Sequence, residues 1–161
     1  MKPLPFPLAL NIGTDIVHLP RIARLLQRAN YLTRFTQRIL SDQEQRDFQA
    51  RFRDTLRPHN YAPSPLSPPQ TLVTPDMTRW LAGRFAAKEA ARKAAPGGAA
   101  SIGWKDVVVW VEDEPAQAQA EGTSRRPQIV YLGAGEAEDR LGQLSISHDG
   151  EYVVATVLAA G

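Results

Sequence analysis

Apolar positions along this chain follow two different periods. The run Leu8-Ala-Leu-Asn-Ile-Gly-Thr-Asp15-Ile16 predicts a strand, with Asp15 near its end. Pro20 suits the first turn of a helix that continues through Ile22, Leu25 and Leu26. After a break near Asn30, Tyr31 to Leu40 reads as short helical pieces. Ser41-Asp-Gln-Glu44 matches a capping box and opens a helix through Phe48 and Phe52. Thr74-Pro75-Asp76 supplies an N-cap followed by proline at the first helical position, and a long Ala-rich helix runs to about Ala95, where Pro96-Gly97-Gly98 stops it. From there the period shortens to two. Asp106 to Glu112 and Gln128 to Leu132 read as strands rich in β-branched residues. Gly135 to Leu141 suggests a short helix. Gln143 to His148 alternates, with Leu144 and Ile146 on one face and Ser145 and Ser147 on the other. Asp149-Gly150 marks a hairpin turn into the strand Tyr152 to Leu158.

Helices followed by antiparallel strands predict an α+β fold, an antiparallel sheet packed on a long helix. Two stretches interrupt the pattern. Pro58 to Pro75 holds six prolines among Ser and Gln, and Asp113 to Arg126 is polar and Gln/Ala/Glu-rich. The expected organisation is one domain over 1–161, with an insertion at 58–75 and a polar loop at 113–126. There is no internal repeat.

Composition narrows the function classes. At 161 residues the chain suits one domain with a real core. Its 43% apolar and 22% charged residues are ordinary for a soluble protein, and a net charge of +2 is too weak to argue nucleic-acid binding. That balance suits an anionic ligand or an acidic protein partner, and the aromatics Trp80, Phe85 and Trp110 read as core rather than as a nucleic-acid face. The absence of cysteine excludes disulfides, thiolate metal sites and cysteine nucleophiles. No stretch approaches the roughly 18 apolar residues of a membrane span. The prolines near Met1 do not resemble a signal or transit peptide.

Three separated polar signals sit inside apolar elements. The first is Asp15. The second is the helical run Trp80-Leu-Ala-Gly-Arg84-Phe-Ala-Ala-Lys88-Glu89-Ala-Ala-Arg92-Lys93-Ala94. There Leu81, Phe85 and Glu89 follow at steps of four, which sets a carboxylate on or beside the apolar stripe, where it needs a partner or a metal. The third is Ser145-Ile-Ser147-His148-Asp149. Asp15 and Glu89 suit a hard cation such as Mg²⁺, although from spacing alone an N-cap for Asp15 and an Arg/Lys salt bridge for Glu89 are the commoner explanation. Arg84, Lys88, Arg92 and Lys93 offer a grip for phosphate, or else a solvated basic face. His148 reads as a structural residue or a phosphate contact. Adjacent strand residues point to opposite faces, so Ser147 with His148 makes a poor hydrolase pair. Gly133-Ala-Gly135 lacks the spacing and βαβ frame of a dinucleotide fingerprint.

Three segments together resemble the holo-acyl-carrier-protein synthase family of 4′-phosphopantetheinyl transferases. They are Gly13-Thr-Asp15-Ile-Val-His18-Leu-Pro-Arg21-Ile22, Trp80 to Ala94, and Leu144-Ser-Ile-Ser147-His148-Asp-Gly-Glu-Tyr152. The likeness also touches Arg38 to Glu44 and leaves out the two interrupted stretches. It implies transfer of the 4′-phosphopantetheine arm of coenzyme A to a serine of an apo acyl carrier protein, releasing adenosine 3′,5′-bisphosphate. The nucleophile then belongs to the partner. The resemblance maps metal ligation by Mg²⁺ onto Asp15 and Glu89, and pyrophosphate engagement onto Lys93. It maps nucleotide phosphate contacts onto Arg84, Lys88 and His148, and the carrier's acidic helix onto Arg21. Glu89, or a water beside it, is the implied base. It further implies a homotrimer with sites between subunits. Charge, hydropathy and the N-terminal residues add the expectation of no nucleic-acid or membrane partner and of a cytoplasmic or mitochondrial location. Two departures stand out. His18 occupies a position where many relatives carry an acid, and Pro96-Gly97-Gly98-Ala99-Ala100 replaces the usual Gly-rich turn. The alternative is a CoA- or carrier-binding module without catalysis.

Overall fold

The structure is a computed structural model that describes residues 7–56, 73–111, 127–135 and 137–161. The predicted insertion at 58–75, up to residue 72, and the predicted polar loop at 113–126 lie outside the described residues.

In chain order the elements are β1 (Leu10–His18), α1 (Leu19–Leu26), α2 (Tyr31–Ile39), α3 (Asp42–Arg51), α4 (Arg53–Leu56), α5 (Pro75–Ala94), β2 (Val107–Val111), β3 (Pro127–Tyr131), β4 (Arg140–Asp149) and β5 (Tyr152–Ala160). The five strands form one sheet in the order β1-β5-β4-β3-β2, every neighbour antiparallel. The α+β expectation therefore holds, with α5 laid across one face of the sheet.

Alternation explains that face. Val107, Val109, Ile129, Tyr131, Leu144, Val153, Ala155 and Val157 are all buried, and their strand neighbours turn away. α5 is built to lie close. Ala82, Gly83, Ala86, Ala87, Ala90, Ala91 and Ala94 are its buried small residues, and Tyr131 Oη donates to the Ala91 carbonyl at 2.9 Å. The closest approach is to β1, where Gly13 lies under the Ala90–Ala94 turn. The helical layer closes the other side of α5 through aromatic contacts. Phe35 stacks on Phe85 at 5.7 Å and Phe85 on Trp104 at 5.1 Å, while Phe48 meets Trp80 at 5.4 Å.

Both predicted helix starts are formed. Thr74 Oγ1 accepts from Met77 N at 3.2 Å, ahead of Pro75. At α3, Ser41 Oγ accepts from Glu44 N at 3.3 Å and Glu44 Oε2 accepts from Ser41 N at 2.9 Å, so the capping box is complete.

Three local expectations change. Asp15 is not near a strand end, because β1 continues to His18. No helix spans 135–141 in the described residues. Gly135 takes φ 65°, Gly133 N donates to Asp139 Oδ1 at 2.9 Å, and β4 begins at Arg140. A β-carbon on Gly133 would stand 1.9 Å from the Ala137 carbonyl oxygen, so this segment is a tight turn that only glycine admits. Trp110, read as core with Trp80 and Phe85, is 41% exposed. Its parity on β2 is opposite to that of Val107 and Val109, which turns the indole to the open side.

The open side of the sheet is unusually apolar. Leu10, Ile12 and Ile16 of β1, Tyr152 and Leu158 of β5, Leu141 of β4 and Trp110 of β2 are all exposed there. A hollow of about 740 Å³ at the β2–β4 end is lined by Val108, Trp110, Val130, Leu132 and Leu141, with Lys105 and the start of α3 at its rim. Patches of this extent mark interaction sites.

Candidate active site

β1 carries Asp15 on the face that meets α5, in register with Ala155 of β5 and Ile146 of β4. The next pair on that face sets Val17 beside Val153, and Val153 beside His148. The sheet thus aims Asp15 and His148 toward the same helix from two different strands.

Asp15 is held directly by α5. Lys93 Nζ donates to Asp15 Oδ1 at 2.9 Å and to the Thr14 carbonyl at 2.9 Å. An ammonium carries three donors, so one remains for a ligand. Glu89 lies one helical turn earlier on the same side of α5. Its Oε1 accepts from Arg92 Nη1 at 2.9 Å, and its side chain is 21% exposed. Asp15, Glu89, Arg92 and Lys93 therefore form one cluster of two carboxylates and two cations.

Arg84 and His148 lie elsewhere. Lys93 follows Arg84 by nine residues, about two and a half turns at 3.6 residues per turn, so the two side chains leave opposite sides of α5. Arg84 and His148 line a second cleft of about 310 Å³, together with Arg51, Asp76, Arg79, Trp80 and Gly83. The Arg84 guanidinium sits 3.3 Å from the centroid of the Trp80 ring, a cation–π contact. Burial lowers its pKa to about 10, with Glu44 and Asp47 opposing that shift and Arg51 adding to it. It stays charged at neutral pH, and among the described residues its buried Nε has no hydrogen-bond partner. His148 is pushed below the ordinary imidazole value, first by desolvation and then by Arg79. Three guanidinium groups, an imidazole and an indole line this hollow, with Asp76 Oδ1 3.4 Å from Arg79 Nη1, so its lining is basic with one aromatic wall.

Lys88 joins neither group. Its side chain is fully buried and ion-paired with Glu44, and Nζ donates to the Ile39 carbonyl at 2.7 Å and the Trp104 carbonyl at 3.0 Å. Glu44 in turn accepts from Val109 N at 3.1 Å and Ser41 N at 2.9 Å. Desolvation lowers the Lys88 pKa, and the Glu44 carboxylate opposes that shift. All three of its donors are engaged within the fold, so the expected phosphate contact from Lys88 is corrected to a buried tie between α5, α3 and the chain leading into β2. Its position one turn after Arg84 made the two look alike in the sequence.

Arg21 is exposed on α1, with Arg24 and Arg28 also exposed along the same helix and its end. His18 Nε2 lies 3.4 Å from Glu151 Oε2, and its ring packs against Tyr152 at 5.0 Å on the open side of the sheet. His18 therefore faces away from Asp15.

Comparison with known proteins settles the family. The model of the ACPS 4′-phosphopantetheinyl transferase superfamily matches residues 11–157. The chain belongs to this superfamily. The 4′-phosphopantetheinyl transferase B, mitochondrial, of Aspergillus fumigatus is 59% identical over 165 residues and covers 100% of both chains. A holo-[acyl-carrier-protein] synthase of Gloeobacter violaceus is 34% identical, covering 94% of this chain and 92% of its own. Among solved structures, the holo-(acyl-carrier-protein) synthase of Bacillus anthracis in complex with CoA (3′,5′-ADP) superposes with a TM-score of 0.58 at 27% identity, over 94% of this chain and 96% of that one.

For a 4′-phosphopantetheinyl transferase the two separate groups are informative. Arg51 and Arg79 line the second cleft and escaped the sequence reading. Arg79 directly precedes Trp80, the first residue of the run singled out, and Arg51 is the last residue of α3. Neither carries a local signal, since both are single arginines on exposed helical faces. Among the described residues no group of three or more His, Asp or Glu gathers around a common point. The described residues therefore offer a cation two carboxylates at most, with water or ligand oxygens to complete the shell. That donor set fits Mg²⁺, which keeps waters and substrate phosphates rather than an all-protein cage.

Proposed function

We propose that this chain is a Mg²⁺-dependent holo-[acyl-carrier-protein] synthase. It moves the 4′-phosphopantetheine group of coenzyme A onto a serine hydroxyl of an apo acyl carrier protein. The observation that carries the reading is the cluster in which Lys93 bonds Asp15 beside Glu89, on a chain that matches the transferase superfamily over residues 11–157.

Asp15 and Glu89 are the residues that would hold the metal. When bound, the ion neutralises pyrophosphate charge and the charge that develops on phosphoryl transfer. Lys93 directs its remaining donor to a pyrophosphate oxygen, and its bond to Asp15 fixes the ammonium for that contact. The carrier's serine oxygen forms a bond to the β-phosphorus of coenzyme A, the one bearing the pantetheine arm. The bridging P–O bond breaks, and adenosine 3′,5′-bisphosphate leaves. Glu89, or a water it holds, takes the serine proton.

Arg84 and His148, with Arg51 and Arg79, supply the second phosphate site. Because Arg84 and Lys93 face opposite ways, one chain does not wrap a nucleotide with both groups. A homotrimer resolves this by setting the anion cleft of one subunit beside the carboxylate cluster of the next. The apolar open face of the sheet supports that assembly. Arg21, with Arg24 and Arg28, gives the carrier's acidic helix a basic counterpart. The A. fumigatus relative is mitochondrial by name, which favours the mitochondrion of the two compartments expected.

The test is direct. The protein is incubated with an apo acyl carrier protein, coenzyme A and Mg²⁺, and the carrier is weighed by intact mass spectrometry. A gain of one phosphopantetheine arm, lost with chelator, is expected. Coenzyme A binding without any gain, across several carriers, would leave a binding module without catalysis.

A further inference from the structure

Arg92 lies inside the carboxylate cluster, yet the reaction above gives it no part. Its guanidinium is fixed on every side. Nη1 donates to Glu89 Oε1 at 2.9 Å, Nε to the Ile102 carbonyl at 2.9 Å and Nη2 to the Ala99 carbonyl at 2.7 Å. The same group lies 4.7 Å from the centroid of the Trp104 ring. It is 18% exposed, so these bonds are partly shielded from water.

The segment that Arg92 grips is the turn after α5, residues 96–104. Gly98 takes φ 74°, Gly98 N donates to the Ala95 carbonyl at 2.8 Å, and Ser101 N donates to the Gly98 carbonyl at 3.0 Å. Side-chain anchors then hold the carbonyls that follow. Arg92 holds those of Ala99 and Ile102, and Lys88 holds that of Trp104. Lys88 and Arg92 are four residues apart on α5, so one side of the helix secures the whole return path toward β2. Only Arg92 also reaches the reaction cluster.

We infer that Arg92 is a positioning residue: it holds Glu89 by one oxygen and makes the orientation of that carboxylate and the fold of the 96–104 turn a single unit. This rests on the reading of Glu89 as a reacting-site carboxylate. Among the described residues Glu89 Oε2 has no hydrogen-bond partner, so Arg92 leaves that oxygen for water, cation or substrate. A planar fork with five donors can grip a carboxylate and two carbonyls at once; an ammonium on a flexible stem cannot reproduce that geometry. The side chain is thus suited to transmit order in both directions, from turn to carboxylate and from carboxylate to turn.

The test combines a rate with a readout that needs no catalysis. Amide hydrogen exchange of the 96–104 peptide is measured on Arg92→Met, Arg92→Lys and Glu89→Gln proteins without metal or nucleotide. The β5 peptide serves as internal reference. Arg92→Met is expected to speed exchange of the turn at least tenfold. Glu89→Gln, which touches no atom of the turn, is expected to speed it several-fold. In the transfer assay Arg92→Met lowers kcat at least tenfold with KM for coenzyme A within about threefold, and Arg92→Lys recovers part of the rate. Unchanged turn exchange in Glu89→Gln, or unchanged kcat in Arg92→Met, overturns the inference. If Arg92→Met does not fold, Arg92→Lys and Glu89→Gln still decide it by the same two measurements. A Glu89→Gln protein that keeps full transfer while its turn loosens refutes the site reading and leaves the structural coupling standing.

Discussion

Gly13 lies against Ala90 with no room for a side chain: a β-carbon on Gly13 would stand 2.0 Å from the Ala90 carbonyl oxygen. The same atom would meet Ala94 N at 2.8 Å and Lys93 Cβ at 2.9 Å. Two residues along β1 is Asp15, whose partner is Lys93. The contact that lets strand and helix touch therefore also sets the distance between the acid and its ammonium. Substituting alanine forces backbone apart from backbone, where overpacking typically costs about 1–3 kcal/mol. Gly13→Ala should lower the melting temperature by several degrees and reduce transfer by more than the loss of folded protein explains. Thermal melts and rates per folded molecule check this.

Lys88 makes the opposite prediction. Removing one partner of a buried ion pair typically costs about 3–5 kcal/mol. For a domain of this size that corresponds to a fall of roughly ten degrees in melting temperature. Lys88→Met should show that loss while KM for coenzyme A stays within about twofold at a temperature where the variant is folded. A large rise in KM without loss of stability would return Lys88 to the phosphate site.

His148 gives a pH dependence with a definite sign. Its folded-state pKa is depressed below the ordinary value, chiefly by desolvation and then by Arg79. The folded protein accordingly prefers neutral imidazole. The stability this contributes is present above the ordinary pKa, near 6.5, and is lost as pH falls below it. An anion in the cleft reverses the preference, although Arg51, Arg79 and Arg84 compete for it and Asp76 opposes it. Binding of adenosine 3′,5′-bisphosphate at pH 6 should take up more protons in the native protein than in His148→Gln. The difference should vanish by pH 8. Calorimetry in buffers of different ionisation heat measures it.

Arg21 is exposed on α1. Arg21→Glu should raise the apparent KM for the carrier about tenfold and leave that for coenzyme A unchanged, with steady-state kinetics as the readout. The carrier effect should shrink with added salt, as expected for an exposed charge contact. Parallel changes in both KM values would place Arg21 at the nucleotide instead.

Much of this fold was legible because its signals are local. Ser41 with Glu44, Thr74 with Pro75, and Asp149 with Gly150 each announce an element boundary through hydrogen bonds or torsions made within a few residues. The long helix declared itself by alanine. Trp110 and the 135–141 segment misled for a shared reason. An aromatic in a strand has no marked face until parity is fixed by its partners, and a polar stretch between glycines reads as helix until the Gly133 contact is known. Candidate site residues could be named from the sequence, but not their arrangement: Lys93 meets Asp15, 78 residues away, while Glu89 pairs with Arg92. Lys88 and Arg84 share a spacing, yet their fates differ because Glu44 lies beside Lys88, and nothing near Lys88 in sequence reveals a partner on α3.

Among the described residues β1 is the first strand and pairs only with β5, the last. On the ribosome, the strand that bears Asp15 has no partner edge to join until β5 follows it, some 140 residues of synthesis later. Closing so long a loop is slow compared with forming the helices and hairpins in between. α5 and the β4–β5 hairpin can assemble first, with β1 added as the final seam. Asp15 would then be the last member of the proposed centre to reach its place, and a chain lacking β5 would hold Lys93 and Glu89 on α5 with Asp15 made but not yet seated.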